Sequence, residues 1–245
     1  MKVDFLIGGV QKGGTSALDA YLRLHPGISM AKHKESHFFD DEQCFANSNV
    51  DYSLYHSLFD PKSDGCLFGE TTPIYMYWHP APRRIWEYNS RMKWIVLLRN
   101  PIARAFSDWN MEWDRNAETL SFREAITSER LRCREAIPLQ HRVYSYVDRG
   151  FYAEQIRRLW HFFPVEQTFF LKTEDLLNDP RNSLDRVCGF LQLDAFREVS
   201  PRIKHSRPYI SQMTREELAY LRNVYEYDIK QIERLLGWDC SQWLA

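Results

Sequence analysis

Phe5-Leu6-Ile7-Gly8-Gly9-Val10 runs directly into Gln11-Lys12-Gly13-Gly14-Thr15-Ser16-Ala17-Leu18, and the reading of this stretch decides the fold. An apolar run of strand character meets a glycine-rich turn holding one lysine and two hydroxyls, and a helical pattern follows. Glycines let successive backbone N–H groups converge on an anion, and the new helix turns its positive end toward it. Lys12 adds a mobile charge, while Thr15 and Ser16 can donate hydrogen bonds and cap the helix. The stretch predicts a phosphate-binding loop, and with it a phosphorylated cofactor. The lysine comes before the glycine pair, so the familiar nucleotide loop G-x-x-x-x-G-K-[ST] fails at its most diagnostic position.

A second block lies at Trp94-Ile95-Val96-Leu97-Leu98-Arg99-Asn100-Pro101, continuing to Arg104 and Ser107. The apolar run reads as a strand buried on both faces, as in parallel sheets. Arg99 follows at its C-terminal end, the edge where open α/β sheets bind ligands. Pro101 suits the first turn of a helix. On that helix Ser107 lies two turns past Asn100, so a strand-end guanidinium and a helical hydroxyl can grip one phosphate. Between the two blocks runs Lys32-His33-Lys34-Glu35-Ser36-His37-Phe38-Phe39-Asp40, which offers two proton acceptors, Glu35 and His37. Histidine is the more usual base near neutrality. The pair Phe38-Phe39 nevertheless predicts that His37 lies on a buried, structural segment.

The order of these blocks resembles the sulfotransferases that use 3′-phosphoadenosine 5′-phosphosulfate (PAPS), above all the heparan sulfate sulfotransferase branch and its soluble bacterial relatives. The resemblance implies an α/β, phosphate-loop-like three-layer fold with a central parallel sheet flanked by helices. It assigns Gln11, Lys12, Gly13, Gly14, Thr15 and Ser16 to the 5′-phosphosulfate, and Arg99 and Ser107 to the 3′-phosphate. K-E-x-H-F-F-D is typical of the family's glycan O-sulfotransferases, whose glutamate is the general base, and this maps to Glu35. Lys12 would stabilise the phosphate that leaves as the sulfuryl group passes in line to a hydroxyl or amine. Small-molecule members use histidine, which keeps His37 as the competing base. Gly69-Glu70-Thr71-Thr72-Pro73-Ile74-Tyr75 resembles the family's E-K-T-P-x-Y segment, with Thr71 where several relatives carry lysine. Thr71, Tyr75 and Tyr152 are thereby candidates for acceptor contact, although packing serves Tyr152 equally well. Glu70 reads as a structural partner. Lys204 and Arg207 are candidates to clamp the adenosine phosphates. The disulfide-bridged excursion that precedes this loop in the family is missing, for no cysteine lies between Cys188 and Cys240.

Composition bounds the remaining possibilities. At 245 residues the chain fits one α/β domain, here taken as residues 1–245, with a large core. A net charge of −1 gives no overall drive toward nucleic acid. Five cysteines without C-x-x-C spacing argue against a disulfide framework and a structural zinc site, and the chemistry calls for no metal. No signal peptide or membrane span is expected, so the chain reads as soluble, cytoplasmic and bacterial. Its partner would be a glycan or small-molecule acceptor.

Strands are predicted near 3–8, 66–70, 93–98 and 168–171. Helices are predicted near 15–24, 82–90, 101–115, 121–135, 151–163, 181–191 and 214–236, and Thr173 reads as a helix cap. Residues 40–65 read as mixed polar chain with turns. Two other functions compete with sulfuryl transfer. A phosphate-loop kinase would need a metal and an acidic residue at a strand end, where this chain has Arg99. A nucleotide-binding protein without catalysis is the other, against which Lys12, Glu35, Arg99 and Ser107 all stand intact.

Overall fold

The computed structural model describes residues 2–47, 49–62, 64–199 and 208–245. Its strands and α-helices, in chain order, are β1 (Phe5–Gly9), α1 (Thr15–Leu22), β2 (Ile28–Met30), α2 (Ser53–His56), β3 (Leu67–Thr71), α3 (Ala81–Tyr88), β4 (Lys93–Leu98), α4 (Pro101–Asp114), α5 (Phe122–Arg132), α6 (Tyr152–Phe162), β5 (Thr168–Lys172), α7 (Thr173–Asn178), α8 (Pro180–Leu191) and α9 (Arg215–Leu236). They gather into two compact units, Met1–Leu98 with Arg158–Lys204, and Arg99–Arg157 with His205–Ala245.

The first unit carries the sheet. Its five strands run in the order β2-β3-β1-β4-β5, and every pairing is parallel. β1 is central, with Phe5 opposite Gly69 of β3 on one side and Lys93 of β4 on the other. Strands enclosed on both faces need apolar residues on both, which is why β1 and β4 read as continuous hydrophobic runs. Alternation sends Phe5, Ile7, Ile95 and Leu97 into a core with Leu18 and Leu22 of α1 and Leu184, Val187 and Leu191 of α8. On the opposite face the Trp94 ring meets Phe163, just past α6, at a centroid distance of 5.6 Å. Trp160 of α6 meets Phe170 of β5 edge-on at 6.0 Å. Helices therefore cover both faces of a parallel sheet, giving the three-layer α/β fold that the resemblance implies.

The second unit is helical and holds a buried polar core. Asn100 caps α4 by accepting from the amides of Ile102 and Ala103, with Pro101 in the first turn. Ser121 and Thr214 form capping boxes at the starts of α5 and α9, and α9 ends at Gly237 with φ 67°. Arg104, wholly enclosed, pairs with Asp108 at 3.1 Å and donates to the Tyr146 carbonyl. Asp228 of α9 accepts from the amide of Tyr152 at 2.9 Å, anchoring the start of α6.

Local differences from the sequence reading have physical reasons. β2 has three residues, too few for a period-two pattern to register. The four-residue α2 sits in a stretch that reads as turns. Neither Thr15 nor Ser16 caps α1: Gly14 holds the cap position at φ 87°, with no side-chain cap bond. Thr173 does not cap α7 either, because its hydroxyl is used elsewhere. All five cysteines are free. Among the described residues no helix is long and apolar enough to cross a membrane.

Gly69 is the tightest point of the β1–β3 pairing. A Cβ there would stand 2.2 Å from the Phe5 ring and 2.7 Å from the Met30 sulfur. Gly69→Ala should overpack this core and lower the unfolding free energy by about 1–3 kcal/mol. Equilibrium denaturation would show it as a lower midpoint at unchanged slope.

Candidate active site

The C-terminal ends of β1 and β3, neighbours in the sheet, bring together two of the sequence blocks. The loop after β1 continues the sheet's bonding: the Val10 amide donates to Leu97 O at 2.9 Å and the Gly13 amide to Val10 O at 2.9 Å. Gly13 leaves no room for a side chain, since a Cβ would lie 2.7 Å from Leu97 O and 2.9 Å from Val10 O. Lys12 itself holds φ 66°, a left-handed conformation that non-glycine residues adopt at a cost. No side chain caps α1, and the Ala17 amide turns back to Gly14 O at 3.0 Å, so the amides of Thr15 and Ser16 are the ones at the open end of the helix. A cradle of backbone amides closed to any Cβ, with one lysine on its rim, fits the phosphate end of PAPS. Gln11 and Lys12 are partly exposed, Thr15 is buried and Ser16 exposed.

Sequence reasoning gives no functional role to Thr173, yet its hydroxyl donates to Gly13 O at 2.6 Å and contacts Leu98 O at 3.1 Å. It ties the glycine loop to the end of β4. Nothing in the local sequence signals this, because the partners are 160 and 75 residues away.

Glu35 and His37 lie at the end of β3. The Glu35 amide donates to Thr71 O at 2.7 Å. Both residues take left-handed backbone, Glu35 at φ 63° and His37 at φ 54°. The Glu35 carboxylate has Lys34 Nζ at 2.6 Å and His37 Nε2 at 3.8 Å. The other face of the His37 ring, at Nδ1, lies 3.0 Å from the buried Asp40 carboxylate. His37 was expected on a buried segment, but its side chain is 47% exposed. The adjacent phenylalanines are the buried part: Phe38 and Phe39 join an aromatic cluster with Tyr55. A left-handed turn at His37 lets the ring stay out while its neighbours go in.

This charge pattern assigns protonation states. The His37 imidazole, ahead of Lys34, holds the Glu35 carboxyl down at about 2, against the opposing effect of burial. Asp40 first and Glu35 second push His37 up to about 9, again against burial. At neutral pH Glu35 is a carboxylate and His37 an imidazolium. Of the two candidate bases, Glu35 alone can then accept a proton. The same cations that keep it ionised also lower its proton affinity, the reverse of tuning by burial.

The remaining candidates are distributed as follows. Thr71 is buried and donates to Asp19 Oδ1 at 2.8 Å, joining the end of β3 to α1. Tyr75 is enclosed, with its hydroxyl 2.9 Å from Glu70 Oε1. Tyr152 is also enclosed and donates to the Arg99 carbonyl at 3.0 Å. None of these three hydroxyls reaches the surface. Glu70 is fully buried among hydroxyl donors, the structural role that its sequence position suggests. In the second unit Arg99 directly follows β4 and is half-buried, and Ser107 lies buried on α4. Lys204 and Arg207 fall outside the described residues.

A glycine cradle after the first strand of a parallel sheet defines an α/β protein of the phosphate-loop type. The model of the family described as "Sulfotransferase domain" matches residues 2–209, and the chain belongs to the sulfotransferase family. It is 38% identical over 189 residues to human heparan sulfate glucosamine 3-O-sulfotransferase 6, covering 77% of this chain and 52% of that protein. The chain thus spans about half the length of this curated relative. A sulfotransferase crystal structure from Alicyclobacillus acidocaldarius superposes at a TM-score of 0.85 with 28% identity, covering 100% of both chains. A mouse sulfotransferase solved with PAP shares the fold, at TM-score 0.52 and 17% identity over 80% of this chain and 61% of its own.

The titration of His37 tests the charge pattern. Its imidazole C–H resonances should shift with a midpoint near pH 9, and Glu35→Gln should bring the midpoint down while Asp40 keeps it above that of a free histidine. A midpoint near the ordinary value of about 6.5 would contradict the arrangement.

Proposed function

We propose that the chain transfers a sulfuryl group from PAPS to a hydroxyl, or an amine, of a glycan or smaller acceptor. The observation that carries this reading is the placement of Glu35 and the Gly13–Gly14 loop at neighbouring strand ends of one sheet edge, in a chain of the sulfotransferase family. PAPS supplies an activated sulfuryl group on a phosphate leaving group. Gln11 to Ser16 bind that phosphate through backbone amides, and Lys12 offsets the charge that accumulates as it leaves. Arg99 and Ser107 hold the 3′-phosphate. Glu35 takes the acceptor's proton as its oxygen or nitrogen attacks sulfur. His37 lies beside Glu35 and orients it, and Asp40 in turn holds the imidazole.

The name of the human relative points to heparan sulfate glucosamine as acceptor. Thr71, with its hydroxyl committed to Asp19, replaces the lysine of the resembled glycan enzymes, and this favours a different acceptor.

Two measurements test the proposal. Adenosine 3′,5′-bisphosphate should bind by calorimetry without magnesium, more tightly than AMP, and Arg99→Ala should remove the benefit of the 3′-phosphate. A preference for magnesium-ATP would overturn the reading in favour of a kinase. Glu35→Gln should depress turnover on the order of 100- to 10,000-fold while leaving bisphosphate affinity nearly intact. With Glu35 as base, turnover should persist as pH falls through about 9, where His37 gains its proton, and be lost only toward about 2, where Glu35 gains its own.

A further inference from the structure

Glu35, Ser36 and His37 form a short loop whose two outer residues both hold left-handed backbone. Such a turn does not hold itself, since each position has lower-energy alternatives nearby. Its backbone is fixed at one point by the Glu35 amide on Thr71 O. Its middle residue is fixed from below. Ser36 Oγ donates to Glu70 Oε1 and lies 3.1 Å from the Tyr75 hydroxyl.

Glu70, the penultimate residue of β3, is fully enclosed. Besides Ser36, its Oε1 receives Thr72 Oγ1 at 2.6 Å and the Tyr75 hydroxyl at 2.9 Å. Its Oε2 receives the Tyr55 hydroxyl at 2.7 Å. All four donors are hydroxyls, and bonds from hydroxyls to a carboxylate are among the short, strong ones. Burial first, and the Glu70 charge second, raise the phenols of Tyr55 and Tyr75 well above their usual range, so both remain donors. The Tyr75 hydroxyl also accepts from the Phe39 amide at 3.3 Å, on the far side of His37. A buried acceptor at the strand end thus reaches both the middle of the Glu35 loop and the segment after it.

We propose that Glu70 and Ser36 are positioning residues for the reaction: the buried carboxylate grips the Ser36 hydroxyl and thereby sets the direction of the Glu35 carboxylate. The inference rests on Glu35 being the base. Glu70 touches neither cofactor nor acceptor, because both of its oxygens are taken inside the fold. Ser36 is the removable part of the device. Without it, Oε1 keeps Thr72 and Tyr75 and Oε2 keeps Tyr55, so the buried charge remains satisfied and the fold is spared.

The test is a mutant cycle in the intact chain, with PAPS as donor and a heparan sulfate oligosaccharide as acceptor. Ser36→Ala should lower kcat roughly 10- to 100-fold, the effect of a small misplacement at the reacting centre. Adenosine 3′,5′-bisphosphate affinity and the thermal midpoint should stay near wild type. Ser36→Thr, which keeps the hydroxyl, should restore most of kcat. In a Glu35→Gln background Ser36→Ala should have no further effect, as expected for a residue that acts through Glu35. Glu70→Gln should lower kcat in the same way, and its fold is checked by the thermal midpoint. Full kcat in Ser36→Ala alongside a damaged Glu35→Gln would overturn the positioning role and leave the base intact. Equal losses from Ser36→Ala with and without Glu35 would also overturn it. A silent Glu35→Gln would instead remove the base reading on which the inference rests.

Discussion

The parallel pairing of β1 between β3 and β4 is the constraint on which the site depends. Three parallel strands side by side end at one edge, and what the chain does next is delivered there. After β1 comes the glycine cradle, and β3 ends in Glu70 and Thr71. Sheet bonding carries on past the strands: the Val10 amide takes Leu97 O, and the Met76 amide takes Gly8 O, each at 2.9 Å. Thr173, at the start of α7 after the edge strand β5, adds its hydroxyl to Gly13 O. The glycine loop is therefore an extension of the sheet rather than a free loop.

Around this edge the backbone is held in costly conformations. Lys12, Glu35 and His37 are three of the five described non-glycine residues with positive φ. Left-handed positions of this kind cost of the order of 1–3 kcal/mol each and persist where surrounding bonds over-determine them. Here those bonds can be named. Thr71 O holds the Glu35 amide, and Asp40 holds the His37 ring. Each anchor lies within the sheet unit and is buried, while the groups it presents, Glu35 and His37, are exposed. Burial falls on the supports, and the two side chains they hold are left accessible.

The second unit follows a different economy. Arg104 is enclosed without solvent, and its desolvation is offset by Asp108 and by the Tyr146 carbonyl. The Tyr225 hydroxyl donates to Val147 O at 2.7 Å, and Glu129 accepts from the amides of Val147 at 2.6 Å and Asp148 at 2.8 Å. Burial raises the Glu129 carboxyl to about 8 even though these amides favour its charged form. Buried polar bonds of this type favour one arrangement, because shifting them leaves further buried groups unpaired. One product of that arrangement is Tyr152, whose amide is held by Asp228 and whose hydroxyl holds the Arg99 carbonyl. The chain thereby leaves Arg99 and enters α4 from a held backbone position.

Much of this was legible in the sequence, for reasons that are local. The run Phe5–Ile7 into Gln11–Ser16 encodes strand, cradle and helix in one stretch, because glycine's lack of a Cβ and the burial of a parallel strand both leave marks on neighbouring residues. Trp94–Leu98 and Pro101 do the same for β4 and the first turn of α4. Family resemblance extends that reading to Glu35 through a contiguous motif. Tertiary structure decided what depends on partners far along the chain. It put His37 outside while Phe38 and Phe39 went in, turned Thr173 from a cap into a clasp, and spent the hydroxyls of Thr71, Tyr75 and Tyr152 inside the fold. It also set the protonation of Glu35 and His37, which rests on the separation of Lys34, Asp40 and the two groups themselves. A side chain's type and neighbours in sequence define what it can do. Its burial and hydrogen-bond partners, fixed only when distant strands pair, define which of those things it does.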